Sequence, residues 1–329
     1  MNLGFPSTTS RRNLLKALGV GAATAAVRGA WAADSAASSP ACSLRERARK
    51  NLKLGIFTNV YADLPLEEAA RQIRKDGFGG VVTDFAFKDV RLDPLNPDED
   101  AVKKIRACLR RHGIEVVGLM GYYNVIDPDA SRRKLGEQRM DYLIRNWKQL
   151  GCPIISTETG TLNARSEWAE SPENETERGY QLCRAAMEKL ARAAEKTGAV
   201  IAIETYWRNI ISTIERTERL FRDVASPSLK LTMDPCNYFR NEDLPKMRPM
   251  LEDMFARVGR QTVLAHAKDV KRAPDGPELP AAGLGELDYS LYLRLLTKLD
   301  REYWLVLEHL TRPDVARARD YVRGRMDVL

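Results

Sequence analysis

The chain has 329 residues, 44% hydrophobic and 29% charged, the composition of an ordinary globular protein with enough apolar material for one large α/β barrel or two smaller domains. Its net charge of +7 does not indicate a nucleic-acid partner. Arg11, Arg12, Lys16 and Arg28 against Asp34 confine part of the excess to the first 42 residues, and the rest alternates in sign along helix faces, the pattern of a solvated surface.

The amino-terminal stretch reads as an export signal. Ser10-Arg11-Arg12-Asn13-Leu14-Leu15-Lys16 resembles the twin-arginine motif, Ala17 to Val27 is a weakly apolar core too short to be a permanent membrane span, and Ala30-Trp31-Ala32 offers small residues for cleavage. Residues 1–32 are therefore expected to engage the twin-arginine translocase and to deliver the protein to the periplasm, with no stable membrane insertion. Residues 33–50 read as a Ser/Ala-rich linker and amino-terminal segment, and residues 51–329 as the folded domain. The five cysteines (Cys42, Cys108, Cys152, Cys183 and Cys236) form no CxxC pair, so a zinc knuckle or disulfide framework is not expected. They suit small core positions, and Cys42 lacks the lipoprotein context that lipidation requires.

From there, short β-branched apolar runs alternate with longer amphipathic stretches. Strands are expected at Leu54 to Thr58, Gly80 to Phe85, Glu115 to Met120, Ile154 to Thr157, Val200 to Glu204, Leu229 to Asp234, Thr262 to His266 and Tyr303 to Glu308. Helices are expected between them, at Leu66 to Lys75, Ala101 to Arg111, Ser131 to Leu150, Glu175 to Lys196, Thr213 to Val224, Leu244 to Gly259 and Tyr289 to Leu299. Gly77, Gly113, Gly151, Gly198 and Gly259 stand where helix carboxyl ends need glycine. Eight strand and helix repeats with doubly buried strands imply an α/β fold closed as a (β/α)8 TIM barrel, which needs about 250 residues. An open doubly wound sheet is disfavoured because no GxGxxG or P-loop follows the first strand.

Four metal-ligand side chains close four successive strands: Glu204, Asp234, His266 and Glu308. Their separations of 30, 32 and 42 residues each fit one strand plus one crossover helix, with the Pro/Gly-rich loop Arg272 to Glu286 lengthening the last. This places all four at the carboxyl ends of neighbouring parallel strands, where barrels keep their chemistry. Four buried polar groups without a purpose would be costly, which favours a metal site over four unrelated salt-bridge partners. Carboxylate oxygen and imidazole nitrogen suit Mn, Mg, Co or Zn, with Mn favoured.

Together with Met233-Asp234-Pro235-Cys236-Asn237, His266-Ala267-Lys268-Asp269 and Gly283-Leu-Gly-Glu-Leu-Asp-Tyr289, these residues resemble the xylose isomerase-like TIM barrels, a group of sugar epimerases, isomerases, dehydratases and endonuclease IV. The resemblance implies one divalent ion held by Glu204, Asp234, His266 and Glu308. It implies that Glu204 and Glu308 are the acid–base pair of an isomerase or epimerase working on a sugar or keto-sugar through an enediolate. It also leaves room for a homo-oligomer. A lyase, dehydratase or hydratase acting on a 3-keto-sugar or keto-glycoside is the alternative, and a non-catalytic sugar-binding barrel a further one. The endonuclease branch is disfavoured, since it needs additional histidines and the chain has three.

Around the ligands, Asn237 stands where many relatives carry His and is expected to face substrate. Lys268 is a candidate for a substrate oxygen, Asp269 for orienting His266 or lining the pocket, Tyr206 and Trp207 for stacking on a sugar face, and Glu158 for reaching in from the fourth strand. Tyr122 and Tyr123 are weaker candidates. His112 reads as a helix carboxyl-terminal charge, and His309 is expected to point away from the site because it follows a ligand by one residue.

Overall fold

The structure is a computed structural model that describes residues 43–329; the signal read into residues 1–32, the stretch 33–42 and Cys42 lie outside it. Among the described residues no helix is long and apolar enough to cross a membrane.

Eight parallel strands close into a barrel: β1 (Leu52–Phe57), β2 (Gly80–Thr83), β3 (Glu115–Met120), β4 (Ile154–Glu158), β5 (Val200–Glu204), β6 (Leu229–Met233), β7 (Thr262–Ala267) and β8 (Tyr303–Leu307). Each pairs with its neighbours in sequence, and β1 pairs with β8 to remove the edges. The outer layer comprises α2 (Leu66–Lys75), α3 (Glu99–Arg111), α4 (Ala130–Leu150), α5 (Glu177–Thr197), α6 (Ile214–Val224), α7 (Met247–Arg257) and α8 (Tyr289–Lys298). The first turns of α3, α4, α5, α6 and α8 are capped by the side chains of Asp98, Asp129, Thr176, Thr213 and Asp288, each accepting from a backbone N–H that no intrahelical carbonyl can reach. The two 21-residue helices α4 and α5 end on Gly151 and Gly198 in the left-handed conformation.

Two helices lie outside the expected set. α1 (Leu44–Asn51) occupies part of the stretch read as a linker, started by a capping box in which Ser43 and Glu46 satisfy each other's backbone N–H groups. α9 (Asp314–Asp327) follows β8, buries Val315, Ala318, Val322 and Met326, and packs on α8 and α1. Gly259 opens a short 3₁₀ turn, Gly259–Gln261, instead of closing α7 in a left-handed turn. The second strand stops at Thr83, and Phe85 adopts positive φ. The loop from 272 to 286 is tied down by isolated bridges, Lys271 with Glu278 beyond Lys268 with Ala281.

Inside the barrel Phe57, Val82, Val117, Leu264 and Val306 form a cluster separate from the larger core between sheet and helices. Ser156 on β4 and Thr232 on β6 meet across the lumen at 3.2 Å, although their strands are not neighbours. Because side chains alternate along a strand, the residue two beyond each of these points inward one layer higher. For Ser156, Thr232, Leu264 and Val306 those residues are Glu158, Asp234, His266 and Glu308. The apolar lumen is thus the floor on which the polar upper layer rests.

At the opposite end of the lumen, a Cβ on Gly80 would lie 2.6 Å from two ring carbons of Trp304 and 2.9 Å from Val117. An indole cannot yield locally, so Gly80→Ala is expected to destabilise the protein by about 1–3 kcal/mol through overpacking. Urea denaturation checks this; an unchanged midpoint would contradict the packing described.

Candidate metal centre

Glu204 ends β5, Asp234 and Glu308 immediately follow β6 and β8, and His266 lies one residue from the end of β7. Ligating atoms from all four lie within 4.8 Å of one another, and all four residues are buried. The imidazole is at the centre. Its Nδ1 stands 3.4 Å from Glu204 Oε1, 3.5 Å from Asp234 Oδ2 and 3.4 Å from Glu308 Oε2. Lys268, two residues on and so on the same face of the chain, places its Nζ 2.7 Å from Asp234 Oδ2, 2.6 Å from Glu308 Oε1 and 3.8 Å from Glu204 Oε1.

The surrounding residues hold these groups in place. Tyr122 donates to Glu204 Oε2 at 2.7 Å and Asn237 donates to Glu204 Oε1 at 2.8 Å. Asp234 Oδ1 accepts from Cys236 N, which leaves Oδ2 aimed at the centre. Two tyrosines of α8 fix the backbone behind the site: Tyr292 donates to the carbonyl of His266 at 2.9 Å and Tyr289 to that of Lys268 at 2.7 Å. Phe57 packs edge-on to the imidazole with ring centroids 5.3 Å apart.

Burial disfavours every charge here, and the outcome depends on who the neighbours are. For Glu308 burial is outweighed by His266 and Lys268, which hold its carboxyl well below the usual range. Glu204 is also lowered, burial being overcome chiefly by His266. Asp234 remains raised because its burial exceeds the help of Lys268. His266 and Lys268 are both raised well above their ordinary values, since the surrounding carboxylates overcome burial. Glu158 has no such cation in contact, and burial together with the Glu204 charge pushes its carboxyl well up.

The donor set fits a divalent ion. Neither nitrogen of the buried His266 ring has a hydrogen-bond partner, and Asp234 Oδ2 and Glu308 Oε1 are near Lys268 but outside hydrogen-bonding geometry. Buried polar atoms left in this state are uncommon and call for a partner. Three carboxylates, one ammonium and one divalent cation sum to neutrality, with the imidazole neutral as a ligand must be. The carboxylates and imidazole are common to Mn, Mg, Co and Zn sites.

A pocket of about 550 Å³ opens above the cluster, lined by Glu204, Glu308, Lys268, Asn237, Glu158, Tyr122 and Tyr206 among others. Trp207 is not among them. It is buried among the guanidinium groups of Arg208 and Arg240, at 4.3 and 5.0 Å, so the stacking role read for it is corrected to packing at the rim. Asp269 is corrected likewise. Its carboxylate accepts from the backbone N–H groups of Val270, Gly283 and Leu287, so it neither orients His266 nor lines the pocket but clamps the loop after β7. Tyr123 lies over Gly136 of α4. His309 does line the pocket, contrary to strand alternation, because the strand has ended and its φ of +53° turns the side chain inward to meet Leu279 O at 2.7 Å. Trp168, Leu279 and Phe57 also line it. Trp168 and Leu279 sit in loops without periodicity, so no sequence signal marked them.

His112 caps α3 and joins Glu67, which also accepts from Arg111 and Cys108. Burial raises the Cys108 thiol to about 11. That grouping of Glu67, Cys108 and His112 is satisfied by its own donors and stands apart from the pocket.

The family model described as xylose isomerase-like TIM barrel matches residues 70–326. No curated protein matches the chain by sequence. Among solved structures, a xylose isomerase-like TIM barrel protein from Mycobacterium smegmatis in complex with magnesium superposes with a TM-score of 0.62 at 17% identity, covering 85% of this chain and 98% of its own. A 3-keto-D-glucoside 4-epimerase from E. coli gives 0.60 at 17% identity, covering 83% and 99%. A probable 3-DHS dehydratase from Bacillus anthracis gives 0.60 at 15% identity, covering 84% and 98%. At these identities the superpositions establish a shared fold.

Removing one partner from a buried ion cluster leaves the others uncompensated, at a cost of about 3–5 kcal/mol. Lys268→Met, measured by urea denaturation in chelator, is therefore expected to be less stable than wild type by that order, and added Mn should restore much of the loss. Equal midpoints for the two proteins in chelator would show that Lys268 does not neutralise the cluster.

Proposed function

Because this chain belongs to the xylose isomerase-like TIM barrel family, we propose that it is a divalent-metal-dependent isomerase or epimerase of a sugar or keto-sugar, with Glu204 and Glu308 as its acid–base pair. One observation carries the assignment of roles. Of the four clustered side chains, Glu204 and Glu308 line the pocket, whereas Asp234 and His266 do not. The first two can meet substrate, and the other two serve as ligands only.

Glu204, Asp234, His266 and Glu308 would hold a divalent ion, which when bound would supply Lewis acidity for loss of the proton beside a carbonyl. The remaining work belongs to the side chains. Glu204, its carboxylate oriented by Tyr122 and Asn237, takes or returns that proton from one side of the pocket. Glu308, beside the Lys268 ammonium, does so from the other side, as inversion at carbon requires. Lys268 faces the pocket and offers its charge to a substrate oxygen, and the apolar lumen beneath excludes water.

The lyase reading is kept for one reason. Glu158 is a third pocket carboxyl outside the ligand set, aligned with Glu204 on the adjacent strand and able to protonate a leaving oxygen. We also propose that residues 1–32 direct export through the twin-arginine translocase to the periplasm, supported by Ser10 to Lys16.

The test is exchange of the carbon-bound proton of keto-sugars in D₂O, followed by NMR alongside elemental analysis. The wild type is expected to carry about one divalent ion per chain and to catalyse exchange. Glu204→Gln and Glu308→Gln should each reduce the rate by about 10²–10⁴-fold, and chelation should abolish it. Exchange that survives either substitution would sink the acid–base assignment. For export, the Arg11→Lys, Arg12→Lys double variant should accumulate in the cytoplasm on fractionation, and undiminished periplasmic protein would refute the signal.

A further inference from the structure

The pocket has two chemically distinct parts. Its floor holds Glu204, Glu308, Glu158, Lys268, Asn237 and Tyr122. Its upper wall is largely apolar, with Val60, Trp168, Tyr206, Leu279 and Leu310 beside the polar Asn59, His309 and Thr311. Acid–base chemistry on a sugar needs the floor. It does not explain an indole held at the mouth with half its surface, 51%, exposed. Other exposed large apolar side chains among the described residues, such as Leu95, Leu135 and Leu182, do not line this pocket.

The wall is also tied down by hydrogen bonds. The loop that carries Trp168 is stitched by Thr161 Oγ1 donating to Ala169 O at 2.8 Å, by Asn163 Nδ2 donating to Glu170 O at 2.9 Å, and by Trp168 N donating to Ser166 Oγ at 3.2 Å. The backbone of Leu279 is held through its carbonyl by His309. An aromatic side chain presented on a pinned loop loses little entropy when a ligand covers it. The volume of about 550 Å³ lies within the range of drug-sized ligand sites and exceeds what one pyranose ring needs.

The charges point the same way. No arginine lines the pocket among the described residues, and Lys268 lies in the floor beside Asp234 and Glu308, where it can meet a ring oxygen but not a group held against the upper wall. A phosphate or carboxylate placed beyond the sugar ring would face the carboxylates of the floor without the bidentate guanidinium that favours such anions.

We infer that the substrate is a neutral keto-glycoside, its carbonyl on the sugar ring, whose apolar, ring-containing aglycone lies against Trp168, Tyr206 and Leu279 while its sugar ring rests over Glu204 and Glu308. This rests on the reading of the site as a metal-dependent sugar enzyme and names the substrate class within it. Free or phosphorylated monosaccharides leave the wall uncovered. Burying an aryl group there adds both apolar contact and ring stacking.

Manganese-loaded protein titrated calorimetrically with methyl and phenyl glucosides of both anomers, and with glucose and glucose 6-phosphate, tests the inference. For at least one anomer the phenyl glucoside is expected to bind about tenfold tighter than the methyl glucoside, and glucose 6-phosphate no tighter than glucose. Trp168→Ala should abolish the phenyl preference, so that phenyl and methyl glucosides bind with similar Kd, whereas Trp168→Phe should keep most of the preference. Equal affinities for phenyl and methyl glucosides in the wild type, a preference that survives Trp168→Ala, tighter binding of glucose 6-phosphate, or no binding of any glycoside to metal-loaded protein would each overturn it. Failure of the parent reading shows separately, as a wild type that takes up no divalent ion or catalyses no proton exchange.

Discussion

Three carboxylates crowded at the top of a water-poor barrel repel one another, and much of the surrounding structure exists to make that arrangement tolerable. Glu204, Asp234 and Glu308 converge on one imidazole, with a fully buried ammonium on their flank. Without counter-charge such a cluster would protonate, open to water or unfold the strand ends that carry it. Lys268 supplies counter-charge from the extension of the strand that carries His266, and a divalent cation held with a neutral imidazole would complete the balance. The hydrogen bonds from Tyr122, Asn237 and Cys236 N fix which oxygens face the centre. The same constraint reaches into the helical layer, where Tyr289 and Tyr292 of α8 hold the backbone carbonyls of Lys268 and His266. A site that tolerates little displacement is thus braced from both sides of the sheet.

The division of labour follows from barrel geometry. Strands deliver the charged floor at fixed spacing, since each contributes one inward residue per layer. Loops deliver the wall, and each must be tied individually because no regular pairing holds it. Asp269 shows how this is done. One buried carboxylate accepts three backbone N–H groups and so fixes the course of the loop on which Leu279 sits. Trp168 depends in the same way on Thr161, Asn163 and Ser166. What the wall accepts can therefore vary with loop sequence while the floor stays constant.

The readings that failed share a cause. Trp207 was a reasonable stacking candidate by its distance from Glu204, yet the chain turns after Thr205 and the indole goes to the guanidinium groups of Arg208 and Arg240. His309 was assigned outward by strand alternation, which no longer applies once β8 ends at Leu307 and φ turns positive. Asp269 carried a polar side chain beside two buried functional residues, and only its three backbone partners reveal what it holds. In each case the residue lies one to three positions beyond a strand, where local periodicity stops being informative. α1 and α9 were missed for different reasons: α1 precedes β1 and lies outside the repeating units, whereas α9 is the eighth helix of the repeat, following β8, and its buried face of Val315, Ala318, Val322 and Met326 is set among many charged residues.

Sequence alone determined the eight-stranded barrel and the four side chains that close successive strands, because period-two alternation and crossover length are local properties that survive in one dimension. Sequence likewise singled out Lys268, Asn237 and Glu158 as residues near those ends. Only the tertiary structure decided that Glu204 and Glu308 face the pocket while Asp234 and His266 do not, that Lys268 neutralises two of the carboxylates, and that Trp168 and Leu279 wall the opening above them. These depend on how strand ends tilt about a common axis and on where loops fold back. Such distances are set between residues far apart in the chain, and no local pattern encodes them.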